Sequence, residues 1–121
     1  MIPEMSDRTL RMRHALEKFM DEHIYPNEAR FFKESTELGP WAVWPIVEEL
    51  KAIAKQTELW NAFYHSVTTN DGLSNLEYAP LCEIMGRSHL APEVFNCAAP
   101  DTGNMEVLEK FGTKEQQEKV F

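Results

Sequence analysis

Gly72-Leu-Ser-Asn-Leu-Glu-Tyr-Ala-Pro-Leu-Cys-Glu-Ile-Met-Gly86 decides the fold, because at about 100° per residue its apolar side chains fall on every side of a helix. Leu76, Tyr78, Ala79, Leu81, Cys82, Ile84 and Met85 circle the axis and leave Asn75, Glu77 and Glu83 as the polar positions. Such a helix belongs in the middle of a bundle, with neighbours over most of its faces. Ser74 and Glu77 have the spacing of a capping box, which satisfies two orphan amides reciprocally, and Gly86 marks the stop. Pro80 removes a backbone donor and crowds the carbonyl four residues back, so a kink or a short first turn is expected there.

Upstream, Ser6 is the expected N-cap of a first helix running to about Ile24, with Met12, Ala15, Leu16, Phe19, Met20 and His23 as its inner stripe and Pro26 as its end. His23 reads as a packed histidine, since no second ligand stands at metal spacing. A short helical turn is expected from Glu28 to about Glu34, followed by a loop from Leu38 to Pro45 that Trp41 and Trp44 anchor on the core. Pro45 opens an amphipathic helix with Ile46, Val47, Leu50, Ile53 and Ala54 inward. Leu59 to Tyr64 has some strand character before a polar turn ending at Asp71-Gly72.

Downstream, Ala91 to Pro100 reads as a small-residue helix broken by Asp101-Thr-Gly103. A further short helix with Met105, Leu108 and Phe111 stops at Gly112, and Thr113 to Gln116 opens another with its own capping box. Strand-like alternation is almost absent, so the fold class is all-α, a bundle of about five to seven helices.

A chain of 121 residues suits one domain, with 43% hydrophobic residues to build a core. Its formal charge of −8, from 20 acidic and 12 basic side chains, disfavours nucleic acid and anionic membranes as partners. Arg8, Arg11 and Arg13 form a solvated helix face. Cys82 and Cys97 belong to no CxxC pair and read as free thiols, which favours a cytoplasmic location. The uncharged stretch Leu38 to Val47 is about half a membrane span and is broken by Gly and Pro, and no secretory signal is visible at the N-terminus.

Local chemistry is sparse. Di-iron bundles need Glu three residues before His, but Arg11, Met20, Ala62 and Gly86 precede His14, His23, His65 and His89 at that spacing. There is no GxGxxG, Walker loop, HExxH or GxSxG. Glu48 and Glu49 fall on the charged face of a helix, where solvation explains them. Composition and periodicity thus lead to a helical domain and stop short of a function.

An ordered set of segments carries a resemblance. Phe19 to Pro26, Leu50 to Lys55 with Leu59-Trp-Asn61, Gly72 to Gly86, Ala91 to Leu108 and Phe111-Gly-Thr-Lys-Glu-Gln116 follow one another as in the N-terminal helical domain of the acyl-CoA dehydrogenase family. The run from Ala91 to Leu108 is similar to the branch with members fused to a kinase-like domain. Two departures stand out: Glu58 occupies the place of a helix-closing glycine, which would cost roughly 1 kcal/mol if held left-handed, and Ala62 to His65 replaces a Leu-Phe-Leu-Pro continuation. The chain also stops where the family continues into an FAD-binding β domain and a C-terminal helical domain, so 1–121 is expected to be the N-terminal-like domain alone.

The resemblance implies α,β-dehydrogenation of an acyl-CoA thioester, in which a carboxylate takes the α-proton while the β-hydrogen leaves as hydride to the flavin. It implies FAD for the complete enzyme, although this chain alone is not expected to hold it, and it assigns no catalytic residue here. By position it puts Phe95, Ala98, Ala99 and Thr102 forward as substrate-binding residues lining the acyl-chain pocket. Tight helix packing is the competing explanation for Ala98 and Ala99. The expected partners are acyl-CoA in the complete enzyme and either complementing dehydrogenase domains or a second copy of the chain. The alternative function is an independent helical interaction module without catalysis.

Overall fold

A computed structural model describes residues 4–64 and 72–120. Helix α1 (Asp7–Phe19) starts at Ser6, whose Oγ accepts the Thr9 N–H at 3.2 Å. Its stripe of Met12, Leu16 and Phe19 is buried and continues through Met20 and Ile24. The backbone stays helical to Ile24 as expected, but it widens into a π turn over Met20–Ile24 and then tightens into a 3-10 turn over Tyr25–Asn27. Pro26 therefore does not end the segment. It falls in the first turn of the new helical piece, where a missing N–H loses little, and the chain runs directly into α2 (Glu28–Leu38), longer than the turn expected there.

Helix α2 stops at Gly39, which adopts a left-handed φ of 83°. Trp44 closes the loop by donating Nε1–H to the Gly39 carbonyl at 3.0 Å and setting its ring edge-on to Phe31 at 5.4 Å. Trp41, expected as a second anchor, is 97% exposed. The loop is pinned at both ends by the Trp44–Gly39 bond, and so short a closure turns one indole inward and leaves the other outside.

Helix α3 (Pro45–Ala54) buries Ile46, Val47, Leu50 and Ala54, with Ile53 at the edge of the stripe. Its N-cap residue has no capping side chain of its own. Glu34 of α2 supplies the acceptor instead, taking the Ile46 N–H at 2.8 Å, while Arg30 donates to Glu34 at 2.7 Å and forks onto Glu49 at 2.8 Å. The hydrogen bond from Ile46 and the Arg30 guanidinium hold Glu34 below the usual carboxylate range.

Residues 59–64 form turns rather than a strand, and the left-handed residue there is Asn61, at φ 55°, not Glu58. Asparagine tolerates that conformation better than glutamate does. The polar turn expected up to Asp71, with His65, lies outside the described residues.

Helix α4 (Asn75–Met85) has the expected capping box: Ser74 N–H reaches Glu77 Oε2 at 2.9 Å and Glu77 N–H reaches Ser74 Oγ at 3.2 Å. Ser6 Oγ also donates to Glu77 Oε1 at 3.0 Å, so one carboxylate ties together the starts of α1 and α4. The helix runs unbroken through Pro80. Gly86 closes it at a right-handed φ of −65°. Its burial corrects the expectation of cover all round: Leu81, Ile84 and Met85 are buried, whereas Leu76 is 60% exposed and Ala79 and Cys82 face outward. α1 packs along α4, and cover on one side of a helix leaves the opposite side open.

The segment from Ala91 is a single turn, α5 (Ala91–Val94), not a helix to Pro100, because Asn96 turns left-handed at φ 53°. Asp101-Thr-Gly103, expected as a break, is instead the first turn of α6 (Asp101–Phe111), where an acidic residue complements the helix dipole. A Cβ at Gly112 would collide with the Leu108 carbonyl, so glycine is required at the end of α6. Thr113 and Gln116 form the second capping box (2.8 and 3.3 Å) and open α7 (Lys114–Val120). Gln117 then donates to the Leu108 and Glu109 carbonyls at 3.1 and 3.0 Å, which caps α6 from α7. Among the described residues there is no strand, and the architecture is all-α. Phe95, Leu16, Met20, Leu81 and Leu90 form the centre of the core.

Candidate functional site

The wall that carries the candidate substrate residues is built by α5, the short non-helical segment after it and the start of α6. Two asparagines hold it in place. Asn96 Nδ2 donates to Asn61 Oδ1 at 2.7 Å, and the Asn61 N–H donates to the Phe95 carbonyl at 3.0 Å. Both residues are left-handed, so the turn at 59–64 and the end of α5 are locked to each other.

The wall has two sides. On one, a cavity of about 540 Å³ lies between the 40–44 loop, α3 and α5, and Ala98 lines it with Trp44, Val47, Lys51 and Pro92. Lys51 is held there by Glu93 at 2.6 Å and Glu48 at 3.4 Å. Burial alone would lower the Lys51 pKa, but the Glu93 hydrogen bond and the two carboxylate charges outweigh it and raise it. On the other side a cavity of about 410 Å³ is lined by Ala99, Thr102, Phe63, Tyr78, Cys82 and Cys97. Burial, then the neighbouring Cys97 and Cys82, push the Tyr78 phenol up, so it stays protonated.

Ala99 and Thr102 therefore share one cavity, Ala98 faces the other, and Phe95 reaches neither. Phe95 is fully buried behind the wall, with its ring edge-on to Phe19 at 4.8 Å. Sequence reasoning missed Tyr78, Cys82 and Cys97 as cavity residues. The four-residue spacing of Tyr78 and Cys82 was the available signal, because it puts both on one helix face. It missed the Asn61–Asn96 lock as well, for which a sequence offers only the tolerance of asparagine for left-handed backbone. His23 is half-buried against Phe19 at 4.8 Å.

FAD would require donors for its pyrophosphate. Lys51 and Arg30 are already engaged by carboxylates, and the Tyr78 cavity presents Glu106, so these residues do not fit that group. Among the described residues, no helix is long and apolar enough to cross a membrane, and no three His, Cys, Asp or Glu side chains gather as metal ligands.

The described residues thus form a helical domain with small side chains set along a cavity wall. Residues 6–121 match the family model described as acyl-CoA dehydrogenase, N-terminal domain, and the chain belongs to that family. It is 47% identical to a Mycobacterium tuberculosis protein provisionally classed as an acyl-CoA dehydrogenase, a match covering 93% of this chain and 28% of that one. It is 44% identical to acyl-CoA dehydrogenase family member 11 of Gallus gallus, over 84% of this chain and 13% of that one, which agrees with the kinase-fused branch. A solved structure from Mycobacterium abscessus, also provisionally classed as an acyl-CoA dehydrogenase, superposes with a TM-score of 0.78 at 42% identity, covering 96% of this chain and 31% of that one. The chain thus spans less than a third of the length of these relatives.

Proposed function

We propose that this chain is the N-terminal helical part of an FAD-dependent acyl-CoA dehydrogenase and forms one wall of its acyl-chain pocket. The observation that carries this reading is the family match over residues 6–121, which includes the small-residue wall at Ala98 and Ala99. In the complete enzyme FAD supplies the hydride acceptor. This chain's residues would exclude water and shape an apolar slot: Ala99 and Thr102 beside the acyl chain, Phe95 backing the wall, and Ala98 limiting the space on its other side. The FAD-binding and catalytic groups are supplied by further domains, and acyl-CoA is the substrate.

Substitution in the complete enzyme tests the wall. Ala99→Phe fills the Tyr78 cavity and is expected to shift the kcat/KM optimum toward shorter acyl chains, and Ala98→Phe is expected to act in the same direction. An unchanged chain-length profile in both variants, with the domain still folded, would refute the pocket assignment.

A further inference from the structure

The cavity beside Ala99 contains two thiols that acyl-chain binding does not require. Cys82 and Tyr78 share one face of α4, and Cys97 reaches the same cavity from the non-helical residues between α5 and α6. The two thiols and the Tyr78 ring thus line one cavity of about 410 Å³. Their surroundings differ. Cys82 is exposed, whereas Cys97 is half-buried with its Sγ 3.4 Å from the Phe95 carbonyl. Burial pushes the Cys97 thiol up, which disfavours it as the thiol oxidised first. The exposed thiol is the one that a small oxidant meets, and the sheltered one, lining the same cavity, is the candidate resolving partner.

We propose that Cys82 and Cys97 are a paired oxidation site that a hydroperoxide converts into an intramolecular disulfide. With hydrogen peroxide, the Cys82 sulfur attacks one peroxide oxygen and the O–O bond breaks. The thiol becomes a sulfenic acid and one water leaves. The Cys97 sulfur then attacks the sulfenic sulfur. The S–S bond forms as the S–O bond breaks, and the hydroxyl departs with the Cys97 proton as a second water. Two thiols lose two electrons, and one peroxide becomes two waters. Cys97 lies on non-helical backbone between α5 and α6, so a disulfide to Cys82 would tie that segment to α4. The chemistry is independent of what the cavity binds.

The test is to treat the dilute 121-residue chain with hydrogen peroxide, titrate free thiols and map unreduced peptides by mass spectrometry. Both thiols should be lost together in the monomer, a peptide cross-linked through Cys82 and Cys97 should appear, and dithiothreitol should restore both thiols. Cys97→Ser should lose this reversibility, with Cys82 proceeding to the sulfinic acid. Over-oxidation of Cys82 in the wild type while Cys97 stays a thiol, or cross-links that are only intermolecular, would overturn the proposal.

Discussion

Asn96 bears more of the site's geometry than any residue chosen from the sequence. Its left-handed backbone ends α5 after one turn, and its side chain joins that end to Asn61. Asn96→Ala should destabilise the chain by about 2 kcal/mol, combining alanine's poorer tolerance of the left-handed conformation with the lost hydrogen bonds. Asn96→Gly, which loses the side-chain bonds to Asn61 and Met105 but accepts the left-handed backbone, should cost about 1 kcal/mol. Urea titrations of the two variants check the difference, and equal losses would show that the backbone conformation contributes nothing. Ala98, Ala99, Phe95 and Thr102 were legible as one segment in the sequence. Their division between two cavities and the core was not, because it follows from the left-handed turn at Asn96, and helical periodicity carries no sign of that turn.

At the scale of elements, caps read best and packing faces read worst. Both capping boxes, the Pro45 start of α3 and the Gly112 stop of α6 depend on neighbours in sequence, and the structure has them all. How much of α4 is covered depends on which other elements pack against it, so its all-round apolarity could not reveal the open side carrying Leu76. Pro26 misled for a local reason: the π turn over Met20–Ile24 ends just before it and puts it in the first turn of a new helical piece. Glu77 links the starts of α1 and α4, and the Ser74 N–H, followed by the Ser6 and Ser74 hydroxyls, holds its carboxyl below the usual range. A group with a depressed folded pKa contributes stability above its unfolded value of about 4.3, and that contribution is lost as pH falls through the folded pKa. Unfolding midpoints should therefore fall between pH 6 and pH 3, and Glu77→Gln should flatten part of that slope. An identical slope in Glu77→Gln would mean that the cap does not link pH to folding.

For the molecule as a whole, exposed Leu76 on α4, Trp41 on its loop and Phe111 at 81% exposure leave apolar surface on several sides. Surface of this kind associates with other surfaces. We expect the isolated chain to bind an apolar dye and to show a mass by light scattering that rises with concentration; a strict monomer without dye binding would contradict this. The most direct measurement of the central claim is acyl-CoA dehydrogenation, followed with an electron-accepting dye, by the FAD-binding and C-terminal domains of a relative with and without this chain. The account predicts turnover that requires this chain, and loss of its chain-length preference when the Ala99 wall is filled. Turnover that is the same without the chain, or a chain that leaves those domains inactive, would contradict it.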